Sequence, residues 1–178
     1  MTEDSRIIYR GRIITLALEQ VTLPNGVRSE LEIVRHPGGA AVVAVDDEQR
    51  VCLLRQYRHA CNDWLWELPA GKIDAGEAPL RTAQRELEEE AGRRADCWQP
   101  LGRMIASPGV FTEIVSCYLA TGLTPCPTRH EREEVIEIHW LTFPEAEAMA
   151  MEGDIVDAKT VIGLCRARAQ LQAGVTSG

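Results

Sequence analysis

Apolar and polar residues change rhythm several times along this chain. Ile7 to Thr15 and Leu18 to Leu23 are dominated by β-branched and aliphatic residues, and Pro24-Asn25-Gly26 supplies a tight hairpin turn. A further strand is expected over Ser29 to Arg35. After the break at Pro37-Gly38-Gly39, two short apolar runs, Ala40 to Val45 and Val51 to Gln56, flank the polar stretch Asp46 to Arg50 and predict a second hairpin. The period then becomes helical. Pro79 suits a first helical turn, Ala83, Leu87 and Ala91 recur every four residues, and Gly92 ends the pattern, so a helix is predicted over Pro79 to Ala91. Beyond it, strands are expected over Pro100 to Ala106, Ile114 to Ala120 and Val135 to Leu141, and helices over Pro144 to Glu152 and Ala158 to Ala173. Thr121 to Glu134, polar and proline-bearing, reads as an exposed loop that ends in acids.

At 178 residues the chain is long enough for one well-packed domain. With 45% hydrophobic and 26% charged residues and no low-complexity tract, it has the balance of a folded protein. No stretch approaches the ~20 apolar residues that cross a bilayer, so no membrane partner is expected and the expected location is cytoplasmic. Six cysteines stand without a CxxC pair, which favours buried free thiols over a zinc site or a disulfide framework. The formal charge of −8 argues against nucleic acid as a partner. A phosphate-bearing substrate would instead need local arginines or divalent cations.

The strongest chemical signal is GKIDAGEAPLRTAQRELEEEAGR, from Gly71 to Arg93. Glu86, Glu89 and Glu90 are spaced i, i+3 and i+4, which puts three carboxylates on one helical face while Ala83 and Leu87 turn to the core. Such a run on its own is most often a solvated helix face. Here it sits inside a fuller pattern, in which Gly71, Glu77, Arg85, Glu86, Leu87, Glu89, Glu90 and Gly92 all hold fixed spacings. The segment resembles the Nudix box. One position departs from it: Arg93 stands where an aliphatic residue is usual, and it is expected to affect packing more than metal binding.

The resemblance implies an α+β chain with the Nudix fold, an α/β/α sandwich with a mixed sheet, preceded by a small antiparallel β segment. The implied division is residues 1–38 as that segment, expected to form dimers, and 39–178 as the hydrolase domain. It also implies that Glu86, Glu89, Glu90 and the backbone carbonyl of Ala70 hold Mg²⁺, with Mn²⁺ as the alternative and two or three ions per site. Arg85 would orient a box glutamate by an ion pair. Glu77 would be a structural acid at the helix start or a weak ligand. The glycines at 71 and 76 would let the backbone bend Ala70 towards the helix.

Further residues resemble the ADP-ribose pyrophosphatase subgroup of that family. Pro108 stands sixteen residues beyond Gly92, in Ser107-Pro108-Gly109 followed by Glu113, where the subgroup carries a proline; an ordinary turn is the competing reading. Arg58, in Leu54-Arg55-Gln56-Tyr57-Arg58, matches an arginine that binds substrate phosphate, a role its planar fork suits; a surface salt bridge is the alternative. Arg28 and Arg35 would contribute to the neighbouring subunit's site in a homodimer. Trp64 and Trp66 would either stack on a base or fill the core. Glu131, Glu133 and Glu134 are the candidates for a general base on a closing loop, with Glu134 the best match.

The expected activity is therefore Mg²⁺-dependent hydrolysis of ADP-ribose to AMP and ribose 5-phosphate. The alternatives are hydrolysis of another nucleoside diphosphate sugar, such as GDP-mannose or ADP-glucose, and a non-catalytic ligand sensor. The sensor reading is weakened because every glutamate of the box is kept.

Overall fold

The computed structural model describes residues 2–130 and 132–175. Within them the chain forms two compact units. The first comprises the N-terminal residues up to Gly38 together with Ile105–Ile114, and the second comprises Gly39–Met104 and the chain from Val115 on.

In the first unit, β1 (Thr2–Arg10), β2 (Thr15–Thr22) and β3 (Arg28–Arg35) form an antiparallel sheet in chain order. The expected run from Ile7 to Thr15 is broken at Gly11, whose amide donates to the Ile14 carbonyl and turns the chain. At the next reversal Gly26 takes φ of 82°, a left-handed conformation that glycine adopts without steric cost. The segment 105–114 adds a parallel bridge between Val34 and Phe111, and the His36 amide donates to Thr112 Oγ1 at 2.9 Å. That segment is not the strand end expected up to Ala106.

The second unit holds a four-stranded mixed sheet in the order β7 (Ala70–Lys72), β4 (Gly39–Ala44), β9 (Val115–Pro125), β8 (Arg93–Met104). A three-stranded antiparallel sheet follows the order β10 (Ile136–Thr142), β5 (Arg50–Arg58), β6 (Asp63–Glu67). Alternate residues of β4, and Val45 just after it, enter two cores. Ala40, Val42 and Ala44 pack with Ala83, Leu87 and Ala91 of α1 (Pro79–Ala91). Ala41, Val43 and Val45 pack with Phe143 and Ala146 of α2 (Phe143–Glu152) and with Leu164 and Ala167 of α3 (Ala158–Val175). Strands thus lie between α1 on one face and α2 with α3 on the other.

This arrangement corrects the second predicted hairpin. The chain does reverse at Asp46, whose carboxylate accepts the Arg50 amide at 2.8 Å, but β4 and β5 enter different sheets and share only the isolated bridge Val45–Val51. β4 has no edge to offer, because β7 occupies one side and β9 the other. The loop expected from Thr121 is likewise strand as far as Pro125, paired with an early part of β8 that its polar residues had hidden. Among the described residues no helix is long and apolar enough to cross a membrane.

Candidate active site

α1 begins with Pro79 in its first turn and ends at Gly92, which adopts the left-handed conformation with φ of 61° and donates to the Glu88 carbonyl. The chain after β9 closes the same helix end: the Cys126 amide bonds the Gly92 carbonyl, the Arg129 amide bonds Glu89, and His130 Nε2 lies 2.9 Å from the Glu90 carbonyl. Ala83, Leu87 and Ala91 face the core as the spacing predicts, and Glu86 and Glu90 lie on the flank of that buried face. Glu86 retains 7% and Glu90 3% of their surface.

Arg85 organises the box. Its guanidinium bonds both oxygens of Glu77, Glu86 Oε1 at 2.6 Å, Glu89 Oε2 at 3.1 Å and the Lys72 carbonyl at 3.1 Å. Glu77 also accepts from Thr82 Oγ1, and Arg85 foremost holds its carboxyl down to about 2. Glu77 is thus tied to Thr82 and Arg85 at the start of the helix. Glu90 Oε2 accepts the Ala70 amide at 2.8 Å, which ties residue 70 to the helix.

The expected reason for Gly71 is replaced by a steric one. A Cβ built there would lie 1.8 Å from Glu86 Oε1, so it is the carboxylate of Glu86 that needs the space. Of the two glycines in this loop, Gly76, with φ of 79°, is the one that needs left-handed freedom.

Burial drives the electrostatics. It raises Glu86 to about 7 despite Arg85, with Glu89 and Glu134 adding to the rise. Glu90 is raised well above the ordinary carboxylate range, first by burial, then by Glu86 and Glu134, against the pull of the Ala70 amide and Arg58. Two nearly buried carboxylates one turn apart, with a third acid near them, form a set of hard oxygen donors whose repulsion a divalent cation relieves. Among the described residues no three acid, histidine or cysteine side chains already converge as metal ligands. Glu86 and Glu89 reach to Arg85 and Glu90 to the Ala70 amide.

Arg58 projects from the end of β5 and forms a two-bond fork with the buried Glu67, Nε to Oε1 at 2.6 Å and Nη2 to Oε2 at 2.9 Å. Nη1 points away from Glu67, and the side chain stays 41% exposed. The ion pair takes the Nε and Nη2 side of the guanidinium and leaves Nη1 outside it. Glu134 is half-buried and Glu133 exposed, while Glu131 lies outside the described residues. The Val135 carbonyl accepts the Tyr57 amide at 3.2 Å, which fixes the chain beside Glu134 to β5.

Arg85, Glu86, Glu89, Glu90, Ala70, Arg58 and Glu134 thus all belong to the second unit and interact there. Pro108, Gly109, Glu113, Arg28 and Arg35 belong to the first. There, Pro108 and Gly109 are exposed in a turn closed by the Phe111 amide on the Ser107 carbonyl. Glu113 lies 3.4 Å from His36 Nδ1, Arg35 pairs with the buried Glu19, and Arg28 is an exposed residue of β3. Trp66 packs on the core edge-on to His139, and Trp64 stands edge-on to Tyr57. Arg93 covers the Trp140 ring at 5.2 Å, so the odd box position is indeed used in packing. A surface hollow on the other side of α1, lined by Arg81, Arg85, Glu88, Trp98 and Arg129, includes neither Glu86 nor Glu90.

Glu67, and the part that Lys159 plays beside it, escaped the sequence reading, although Arg58 did not. The available signal was an acid set between Trp66 and Leu68 in a run otherwise fit for a core, since a buried carboxylate needs a partner.

The NUDIX domain family matches residues 35–161. ADP-ribose pyrophosphatase of Mycobacterium tuberculosis is 40% identical over 166 residues, 92% of this chain and 80% of the relative. Methanol dehydrogenase activator of Bacillus methanolicus is 40% identical over 159 residues, 88% of this chain and 86% of that protein. Among solved structures, one described as an ADP compounds hydrolase superposes with a TM-score of 0.84 at 23% identity, covering 98% of this chain and 95% of the other, a likeness of fold. This chain belongs to the NUDIX family.

Proposed function

We propose that this protein hydrolyses the pyrophosphate bond of ADP-ribose, giving AMP and ribose 5-phosphate, with Mg²⁺ held by Glu86, Glu90, Glu89 and the Ala70 carbonyl. The observation that carries the reading is the pair of almost fully buried carboxylates, Glu86 and Glu90, with Arg58 and Glu134 within electrostatic reach. The relative named for ADP-ribose supports the choice of substrate.

Bound Mg²⁺ supplies charge to neutralise the diphosphate and makes water more acidic. The protein's own groups do the rest. Arg85 holds Glu86 and Glu89 in place, and the Nη1 edge of Arg58 donates to a phosphate oxygen. Glu134 accepts a proton from the attacking water as the new P–O bond forms and the bridging oxygen leaves with the other phosphate. Glu134→Gln is therefore expected to lower kcat by about 10²-fold, within the range for a general base, while Mn²⁺ binding by calorimetry persists. An unchanged kcat would move that role to Glu131, Glu133 or the metal site alone.

In the first unit, Ile7, Ile8, Tyr9, Ile13 and Val27 are exposed apolar residues, which supports a homodimer formed through this sheet and a role for Arg28 and Arg35 in the neighbouring subunit's site. Light scattering that gives a monomer mass at micromolar concentration would refute it. Six free thiols accord with a reducing, cytoplasmic setting, although only Cys52 and Cys117 are buried and Cys61, Cys97 and Cys165 are exposed, against the expectation of burial. Substrate choice is tested by ranking kcat/KM for ADP-ribose, GDP-mannose, ADP-glucose, NADH and 8-oxo-dGTP. The expected order puts ADP-ribose first; a metal-dependent preference for another compound keeps the site and overturns the substrate, and no turnover of any compound favours the sensor.

A further inference from the structure

The N-terminal turns of α3 touch the active site only through intermediaries, yet they are bonded to it more closely than packing requires. Asp157 Oδ2 accepts both the Thr160 amide at 3.0 Å and the Thr160 hydroxyl at 2.6 Å. With its single proton committed to Asp157, Thr160 Oγ1 turns a lone pair to the Leu68 amide, which it accepts at 2.9 Å across 92 residues of chain. Leu68 leads directly into Pro69, whose carbonyl accepts the Val42 amide at 2.9 Å, and into Ala70, whose amide bonds Glu90. Thr160 is fully buried, so a bond lost there is not replaced by water.

The neighbouring residue acts on the other half of the site. Lys159 Nζ bridges Glu67 Oε2 and Asp157 Oδ1, the latter at 3.0 Å. Glu67 is therefore held between Lys159 and Arg58. Burial pushes its carboxyl up, but the two cations outweigh that and keep it below the ordinary range. Gly163 shows how closely the helix is seated: a Cβ there would come within 2.6 Å of Leu68 Cδ1 and 3.2 Å of Val43 Cγ2.

We propose that the first two turns of α3 are a positioning element for the active site, with Thr160 setting the Leu68-Pro69-Ala70 backbone beside Glu90 and Lys159 setting the Arg58 fork through Glu67. The proposal rests on the functional reading above, in which residue 70 and Glu90 hold metal and Arg58 meets phosphate. It assigns the two residues separable effects. Thr160 governs metal affinity. Lys159 governs substrate affinity, because a group that contacts substrate equally before and during reaction shows in KM and leaves kcat alone.

The experiment uses the full chain with Thr160→Val, Thr160→Ser and Lys159→Met. Mn²⁺ affinity is read by calorimetry without substrate, and kcat and KM are read with ADP-ribose at saturating Mg²⁺. Thr160→Val is expected to weaken Mn²⁺ binding by about 10-fold, the lower end for groups that support metal ligands, and Thr160→Ser to restore it. Lys159→Met is expected to raise KM by about 10-fold, with kcat and Mn²⁺ affinity unchanged, the loss of one charge-assisted contact. If both variants merely melt at lower temperature while Mn²⁺ affinity and KM stay at wild type, α3 is scaffold and the proposal is wrong. Should Thr160→Val fail to fold, Lys159→Met decides alone, since a KM at the wild-type value overturns the role of Glu67. Wild-type protein that binds no Mn²⁺ and hydrolyses nothing fails the functional reading itself, and the proposal with it.

Discussion

Glu90→Gln is expected to abolish most turnover while leaving the metal-free protein as stable as wild type or more so. The two effects have one origin. Glu90 is 3% exposed, and its burial together with Glu86 and Glu134 makes the ionised form costly in the folded state. Glutamine has nearly the same shape, and its carbonyl oxygen still accepts the Ala70 amide that Glu90 Oε2 accepts now. Relief of about 1 kcal/mol would raise Tm by about 2–4 °C in a chain of this size. Catalysis moves the other way, by about 10²- to 10³-fold in kcat, the scale of removing one preorganised electrostatic contribution. Mg²⁺ should then stabilise wild type and not the variant, since a ligand at 100 times its Kd adds about 2.7 kcal/mol to the state that binds it. A variant that keeps near-normal kcat would remove Glu90 from the metal set, and one that unfolds without metal would show Glu90 to be structural.

Gly71→Ala has the second largest expected effect, and again activity and stability separate. The added Cβ would stand 1.8 Å from Glu86 Oε1 and 2.1 Å from Glu86 Cδ, well inside contact distance. What must move is the far end of a flexible side chain, and φ at residue 71 is not in the left-handed region, so the backbone tolerates alanine. Tm should change by only a few degrees, about the effect of 1 kcal/mol. Glu86, displaced by an ångström or more, loses its 2.6 Å bond to Arg85 and its place beside Glu90. A loss of about 10²-fold in kcat/KM is expected, as for other misplacements of that size. Turnover near wild type would mean that Glu86 does not act from the position seen.

The box and its helix were legible because their information is local. Proline at the start, apolar residues at four-residue steps and glycine at the end set α1 within a few residues of chain, and the same spacing places Glu86, Glu89 and Glu90. The pairing of β4 was illegible for the opposite reason: its partners β7 and β9 are far away in sequence, so a polar turn after it looked like a hairpin. The reason for Gly71 was hidden too, because a space kept for a side chain fifteen residues later leaves no local trace. Glu67 stood in plain view, but its clamp of Arg58 and Lys159 joins β5, β6 and α3, and only the fold brings these together.

The most direct test follows AMP and ribose 5-phosphate released from ADP-ribose by the purified protein in EDTA, after Mg²⁺ is restored, and again with Glu90→Gln. Release is predicted to be absent in EDTA, to return in equal amounts of the two products with Mg²⁺, and to fall by about 10²-fold or more in the variant. Release that persists in EDTA, or that survives Glu90→Gln at the wild-type rate, would contradict a reaction run from the Glu86–Glu90 face.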